Sequence, residues 1–431
     1  MTTDNALATL HALPRYAGVA DDAYKPGLER MEALMDAMDR PHEAFPSVHV
    51  AGTNGKGSTA SMIAATATAD GQRTGLHTSP HLLHVTERMR VDGVPAPAEW
   101  LAEAVARYRS AFERIAPSFF EATVALSFRY FAEQEVDWAV VEVGLGGRLD
   151  ATNVLDPVLA IITNVDRDHT NILGDTLAAI AREKAGIIKR RVPVLTGGTH
   201  PEALAVIREV AAERAAPLHE TAREVAVHRA ETTLEGVTID VETPVRTYDG
   251  LQIGLHGAYQ RQNAVLAVRA AELLALDAGA IREGLRDVRG LAGLRGRFDV
   301  LRTDPLVVAD AAHNPSGLAA ALDAVRTLTG RQPEGTLHVA FGGVQDKDVV
   351  AMARLLAQAG ATVTPLRFDA PRAMPAGQVA AVLEAEGATV AEPAAVDAVQ
   401  AHFERHAGPH DVLLITGSHG VVVPLLPENA A

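Results

Sequence analysis

The sequence predicts an α/β protein of two successive units, each a mostly parallel sheet layered by helices, with a small antiparallel β appendage at the end of the first. Three observations predict it. Short apolar runs alternate along the chain with segments of helical period, the pattern that places a parallel sheet between helices. A glycine-rich polar segment, Gly52-Thr53-Asn54-Gly55-Lys56-Gly57-Ser58, lies between one such run and an Ala-rich helical stretch. Over residues 224–257 the texture turns to short β-rich pieces, and the α/β alternation then resumes.

Taken in order, Leu28, Met31, Leu34, Met35 and Met38 recur at the spacing of one buried helix face, which predicts a core helix within residues 27–39. Residues 48–51 predict the strand that leads into the glycine-rich segment. Further strands are predicted at 138–143, 159–165 and 192–195, with a helix across 176–188. Pieces at 225–227, 237–241 and 251–255, set among polar turns, make the appendage. Residues 290–297, rich in Gly and Arg and without hydrophobic period, read as a linker. Beyond them, strands at 306–309, 337–341, 361–365 and 412–415 alternate with Ala-rich helices, a Rossmann-like C-terminal domain. The expected domains are therefore 1–292 and 297–431. Ligands in such folds lie outside the carboxyl ends of the strands. The polar segments 52–58, 142–147, 166–169, 310–314 and 416–419 each follow a strand there.

At 431 residues, with 48% hydrophobic and 22% charged residues, the chain has the composition of a folded soluble protein with room for two or three domains. It has no run of about 18 apolar residues and no basic start followed by an apolar stretch, so a cytoplasmic protein without a membrane partner is expected. With no cysteine, any metal must be held by oxygen or imidazole, which suits a hard cation such as magnesium. A formal net charge of −15 argues against nucleic acid as the main partner. Anionic substrates then need local cationic pockets.

The segment after residue 51 has the parts of a phosphate-binding loop. Glycines let the backbone curl so that successive N–H groups face one anion, the following helix adds the positive end of its dipole, and Lys56 adds a full charge. A nucleoside triphosphate is the expected guest. The match to G-x-x-x-x-G-K-[ST] is imperfect, since Val50 stands where the first Gly would be and Gly57 separates Lys56 from Ser58. A glycine-rich turn capping an ordinary helix is the competing reading, and the strand before and helix after favour phosphate.

Glu142 ends an apolar strand, where a carboxylate is costly to bury unless it is paired or bound to a cation. Metal ligation is preferred over a buried salt bridge. His169, in Asn164-Val165-Asp166-Arg167-Asp168-His169, and Ser79, in His77-Thr78-Ser79-Pro80-His81, offer a ring nitrogen and a hydroxyl. Each taken alone reads as a hydrogen-bonded loop histidine and a turn before proline. Lys184, on an amphipathic helix, reads locally as a solvated charge, and Arg88 as a surface partner of a carboxylate. Asp310-Ala311-Ala312-His313-Asn314-Pro315 crowds polar groups at a strand end, either as a turn built on Asn314 and Pro315 or as a site facing the first domain.

Jointly, the 52–58 segment, Thr78-Ser79-Pro80-His81, residues 141–153 from Val141-Glu142 to Asn153, Asp168-His169, residues 183–189 around Lys184, Gly296-Arg297-Phe298 and Asp310 to Pro315 closely resemble the folylpolyglutamate synthase family. Its bacterial members often double as dihydrofolate synthase, and it belongs to the Mur ligase superfamily. The resemblance runs from about Pro26 to Ser418 in family order. The Lys56-Gly57-Ser58 arrangement that weakens the general loop match is what this family looks like.

The resemblance implies that Asn54, Gly55, Lys56, Gly57 and Ser58 hold the phosphates of ATP, with Asn263, Arg297 and Asp310 completing the nucleotide site between the domains. It implies that Ser79, Glu142 and His169 bind magnesium, with two ions in all, and that Lys184 becomes an N6-carboxylysine near the second. Ser118, Phe119, Phe120 and Glu121 match the segment that contacts the pterin, with Leu149, Asp150 and Ala151 nearby. Arg88, His313 and Ser418 match positions associated with the incoming L-glutamate. Lys56, Lys184 and His169 would be the catalytic set. Two departures stand out: Tyr259, before Gln260, where the family usually has His, and Ala311 in place of Gly.

The implied reaction is ATP-dependent amide formation by a monomer, with a folate or dihydropteroate carboxylate activated as an acyl phosphate and attacked by the glutamate amine. Water has to be kept out while the acyl phosphate lasts, which domain closure would achieve. A cell-wall amino-acid ligase would share the loop and the carboxylated lysine, but Gly57 and the lack of an added N-terminal substrate domain count against it. A binding module without chemistry need not carry Glu142, His169 and Lys184 together, and a P-loop kinase would release a stable phosphorylated product.

Overall fold

The computed structural model describes residues 2–14, 27–330, 335–370 and 372–425; Pro26, near which the family resemblance begins, lies outside the described residues. Contacts divide the chain into two compact units, one of Met1–Arg229, Asp240–Leu251 and Gln262–Leu294, the other of Ala230–Ile239, Gln252–Arg261 and Arg295–Ala431.

The first unit is built on eight strands: β1 (Ser47–Ala51), β2 (Thr74–His77), β3 (Met89–Val91), β4 (Val94–Pro95), β5 (Trp138–Glu142), β6 (Leu159–Ile162), β7 (Val194–Thr196) and β8 (Leu218–Glu220). Their order is β4-β3-β2-β5-β1-β6-β7-β8, parallel from β2 to β8, with β3 and β4 antiparallel at one edge. β1 and β6 are buried along their whole lengths, which is why they read as continuous apolar runs. From β1 the chain leaves towards β2 on one side, and from β6 it leaves towards β7 on the other. The chain thus leaves these two neighbouring strands in opposite directions, the topology in which ligands lie outside the carboxyl ends of the strands.

The helix Lys56–Ala69 carries only small side chains apart from Lys56, Met62 and Ile63, and from Gly57 to Ala67 it is buried on every face. The sheet covers one side, and the helices Ala278–Arg286 and Val288–Ala292 cover the other. Gly284 makes that approach possible, because a Cβ there would overlap the backbone of Thr66. Residues 290–292, expected to begin a linker, instead complete this short helix, Val288–Ala292. The Asp287 carboxylate accepts the Gly290 N–H at 3.0 Å and caps it, while Val288 and Ala292 turn inward. The core helix expected within 27–39 spans Glu29–Ala37 and buries Met31, Leu34 and Met35.

The appendage is a three-stranded sheet of β9 (Ala226–Thr233), β10 (Gly236–Glu242) and β11 (Thr247–Ile253) in the order β11-β10-β9. Its links are too short for a parallel crossover, so neighbouring strands run antiparallel. In the second unit β12 (Asp299–Thr303), β13 (Leu306–Ala309), β14 (Leu337–Phe341), β15 (Thr362–Arg367), β16 (Thr389–Val390), β17 (Ala394–Ala395) and β18 (Val412–Thr416) make a sheet ordered β12-β13-β18-β14-β15-β16, with β17 also on β15. Only the β12/β13 pair is antiparallel. Among the described residues no helix is long and apolar enough to cross a membrane.

Candidate active site

The loop after β1 is held from below by the segment after β6. The Asn164 side-chain oxygen accepts the N–H groups of Thr53 at 3.2 Å and Asn54 at 2.8 Å, and Thr163 Oγ1 donates to Asn54 O at 2.6 Å. Thr53 Oγ1 donates to Asp166 O and accepts from Asp166 N. Gly55, at φ +78°, is the N-cap of the helix Lys56–Ala69 and has no side chain to cap it. That leaves a helix N-terminus whose N–H groups suit an anion. A Cβ on Gly55 would overlap the side-chain oxygen of buried Asn263, which places Asn263 against the loop.

Gly57 has its own reason. A Cβ there would stand 3.3 Å from Glu142 Oε2, so glycine lets the carboxylate at the end of β5 lie against the first turn of the helix. Glu142 is 4% exposed, and its Oε2 accepts the Ser79 N–H at 3.0 Å. Ser79 therefore meets Glu142 through its backbone. His169 starts a short helix at φ +50°, its N–H donating to Asp168 Oδ1 at 2.9 Å and its ring partly exposed beside the same carboxylate.

Lys184 is not a surface charge: the residue is 3% exposed and Nζ donates to Gly52 O at 2.8 Å. Lys56 Nζ donates to the same Gly52 O, and to Thr53 O, at 3.1 Å each. Two amines thus converge on one carbonyl. Burial first, and the Lys56 ammonium second, pull the Lys184 amine down to about 7, with Asp168 acting in the opposite sense. Gly147 packs directly on the carbonyls of Glu183 and Lys184, which ties the segment after β5 to this helix.

Ser118 and Glu121 form a capping box at the start of the helix Phe119–Glu133: Ser118 Oγ accepts from Glu121 N at 3.2 Å and Glu121 Oε2 from Ser118 N at 2.7 Å. Glu121 is also paired with Arg30 at 3.0 Å. Phe120 packs on Gly144, and Leu149 is partly exposed beside buried Ala151. Asp150 is buried and accepts from Leu145 N at 2.9 Å and Thr152 N at 3.0 Å, yet burial outweighs these bonds and raises its carboxyl. Arg88, locally a surface charge, is 7% exposed. Its Nε donates to His81 Nδ1 at 2.8 Å and its guanidinium lies 5.3 Å from the centre of the Phe119 ring. Since arginine only donates, His81 presents a lone pair at Nδ1.

In the second unit Asp310 is buried and accepts three donors: Tyr259 Oη at 3.0 Å and Phe298 N at 2.8 Å on Oδ2, and Ala312 N at 2.8 Å on Oδ1. Arg297 sits between Gly296 and Phe298. Asn314 Oδ1 caps the helix Pro315–Thr329 by accepting Gly317 N at 2.7 Å, so the turn reading of that segment is realised beside the polar cluster. Thr416 Oγ1 and Gly417 N both donate to Ala312 O, which joins the loop after β18 to the loop after β13. Ser418 caps the next short helix, and the rings of His313 and His419 lie 5.5 Å apart.

Sequence reasoning passed over Thr163, Asn164, His81 and the partner of Tyr259. Only the last had a signal, as a stated departure from the family pattern. Beneath the site, His49 and His77 are fully buried on β1 and β2, bonded to Thr152 Oγ1 at 2.8 Å and Ser127 Oγ at 2.9 Å. Burial is the main cause that holds each ring down to about 3. They are neutral in the fold, whereas the unfolded chain binds protons there below about pH 6.5. Stability should therefore fall as the pH drops below about 6.5 and stop falling on this account near 3, by up to about 1.4 kcal/mol per pH unit per histidine. His77→Phe should show a shallower loss of urea midpoint between about pH 6 and 4. A slope equal to that of the unmutated chain would refute this account.

The family model described as Mur ligase middle domain matches residues 50–271, and that described as Mur ligase, glutamate ligase domain, matches residues 296–419. The chain is 36% identical over 403 residues to dihydrofolate synthase/folylpolyglutamate synthase of Bacillus subtilis, over 91% of this chain and 93% of the relative. To folylpolyglutamate synthase of Lacticaseibacillus casei it is 36% identical, over 87% and 88% of the two chains. Among solved structures, folylpolyglutamate synthase of Mycobacterium tuberculosis complexed with ADP and AMPPCP superposes with TM-score 0.86 at 32% identity, covering 98% of both chains. FolC of Escherichia coli in complex with DHPP and ADP gives 0.87 at 28% identity, covering 99% of this chain and 97% of that one.

Proposed function

The chain belongs to the Mur ligase family, in its folylpolyglutamate synthase and dihydrofolate synthase group, and we propose that it joins L-glutamate to folates and to dihydropteroate with ATP. It is an ATP-dependent acid–amino-acid ligase. The observation that carries the reading is the buried Lys184 amine on Gly52 O, inside a phosphate loop that also faces buried Glu142. A kinase or a nucleotide-binding module has no need of that group.

A carboxylate is a poor acyl donor because its leaving group is oxide or hydroxide. The γ-phosphoryl of ATP is moved onto it, ADP departs, and the glutamate amine then attacks the carbonyl carbon and expels phosphate. The loop amides from Asn54 to Ser58 hold the phosphates, and Lys56 turns its ammonium from the loop carbonyls towards them. Asn263, beside Gly55, and Arg297 and Asp310 on the second unit contact the rest of the nucleotide. Ser118 to Glu121 and Leu149 to Ala151 line the pterin end, with the two phenylalanine rings as its apolar faces. Arg88, His313 and Ser418 receive glutamate. The buried carboxylate of Glu142, with Ser79 and His169, is a hard oxygen and imidazole donor set that fits magnesium, and carboxylated Lys184 fits a second ion. A magnesium ion held by these residues would supply positive charge against that of the phosphates. The domains divide the work as 1–292 for ATP and pterin and 297–431 for glutamate, in a cytoplasmic monomer.

The test is ADP release with tetrahydrofolate and with dihydropteroate separately, each with and without glutamate. Release is expected only when an acid and glutamate are both present. Release that is indifferent to glutamate would defeat the ligase reading, and turnover of tetrahydrofolate without any of dihydropteroate would confine the chain to polyglutamylation.

A further inference from the structure

Arg297 is carried on a turn that the rest of the second unit has to hold open. Gly296 lies at φ +72° and Phe298 at φ +50°, so two left-handed residues flank it. For a bulky residue such as Phe298 that backbone is unfavourable and persists only where neighbours over-determine it. Two things do so. The Phe298 ring is fully buried in the core of the unit, and its N–H donates to Asp310 Oδ2 at 2.8 Å. The turn is closed on its other side by Gly296 N donating to Asp299 Oδ2 at 2.7 Å, while Arg297 itself donates to Gly296 O at 3.0 Å.

Asp310 is thus the clamp, and its carboxylate needs a fixed rotamer to hold Phe298. Ala312 N fixes Oδ1 at 2.8 Å, whereas on Oδ2 the second donor is Tyr259 Oη at 3.0 Å. Tyr259 packs its ring against the core of the same unit, so the hydroxyl is delivered from a rigid support. We propose that Tyr259 is a positioning residue for nucleotide binding: its hydroxyl orients the Asp310 carboxylate, and through the Phe298 N–H sets the turn that presents Arg297.

The inference rests on the reading that Arg297 and Asp310 contact the nucleotide. The charged and titratable groups around the carboxylate are Arg297 and Tyr259, with Asp299 across the turn and His313 holding Ala311 O beside it. Burial raises the Asp310 carboxyl, and Arg297, the Ala312 and Phe298 amides and the Tyr259 hydroxyl oppose that rise. Removing the hydroxyl alone leaves the carboxyl higher, so it gains a proton at a higher pH.

The experiment uses the full chain with Tyr259→Phe, which keeps the ring and deletes one oxygen. The expected result is an ATP dissociation constant and KM raised about fivefold to tenfold, the size of one lost hydrogen bond. The KM values for glutamate and folate stay within about twofold, and the acid limb of kcat/KM for ATP moves to higher pH. Unchanged ATP affinity and an unchanged acid limb in Tyr259→Phe overturn the proposal. Arg297→Ala, measured alongside, tells the two failures apart. If it weakens ATP binding while Tyr259→Phe does not, the nucleotide reading stands and Tyr259 has no part in it. If neither variant alters ATP binding, that reading of Arg297 falls together with the proposal.

Discussion

Replacing Lys56 with alanine should lower ATP affinity or turnover by at least about tenfold, a loss of more than roughly 1.4 kcal/mol, while leaving the thermal midpoint close to that of the unmutated chain. The loop does not depend on Lys56 for its shape. Asn164 and Thr163 hold the backbone of Thr53 and Asn54 from the β6 side, Asp166 holds the Thr53 hydroxyl, and the lysine donates to Gly52 O and Thr53 O. What its loss removes is the one full positive charge of the loop, the group proposed to meet the phosphates. ATP titration followed by steady-state kinetics reads both possible outcomes, and near-normal values for each would take this loop out of the active site. A second consequence follows from the shared carbonyl. Without the neighbouring ammonium, the Lys184 amine loses one of the two influences that pull it down and becomes more basic.

The fold was most legible where strands are buried on both faces. β13 coincides with the expected 306–309, an apolar run buried along its length, and β14 with 337–341, a run broken only by partly buried His338. The short strands β3, β4, β16 and β17, of two or three residues each, carry too few positions to show a period. β12 was hidden for another reason. Its residues Asp299 to Thr303 are mixed in polarity, and it pairs antiparallel at an edge with a register shift between Val300 and Arg302. The 290–297 linker was misread at its start because a helix of five residues has no room for hydrophobic period, and its cap, Asp287, lies before the segment.

The site was legible as a set of segments and illegible as chemistry. Lys184 and Arg88 read locally as solvated charges because helical spacing reports which residues share a face, and what covers that face comes from residues far along the chain. Gly52 covers Lys184 from 132 positions away. Arg88 is covered by His81 and by Phe119, which belongs to another helix. The unusual Gly57 was visible as a mismatch, yet its cause, the Glu142 carboxylate against the helix, required β1 and β5 to be neighbours.

Lys184→Ala should lose most turnover, on the order of a hundredfold or about 2.7 kcal/mol of barrier, while keeping ATP binding within a few-fold of the unmutated chain. Two amines share Gly52 O. Both cannot be charged there without repulsion in a buried site, and Lys184 is the one that burial and Lys56 bring down to about 7. At neutral pH roughly half of it is then a free amine, against well under 1% for a lysine in water. Such an amine adds to the carbon of dissolved carbon dioxide and gives up one proton to water, which converts a repelling cation into a carbamate anion that Lys56 attracts. The new group offers oxygen to a hard cation where the amine offered none. A short carboxylic acid, formate or acetate, should restore part of the rate to Lys184→Ala by filling the vacated space, and bicarbonate should raise the activity of the unmutated chain most at alkaline pH, where more amine is free. Crystals grown with bicarbonate should show three extra atoms on Lys184 Nζ. Clear density for a bare amine there, together with no rescue by either acid, would end the carbamate account and leave Lys184 as a buried donor to the loop.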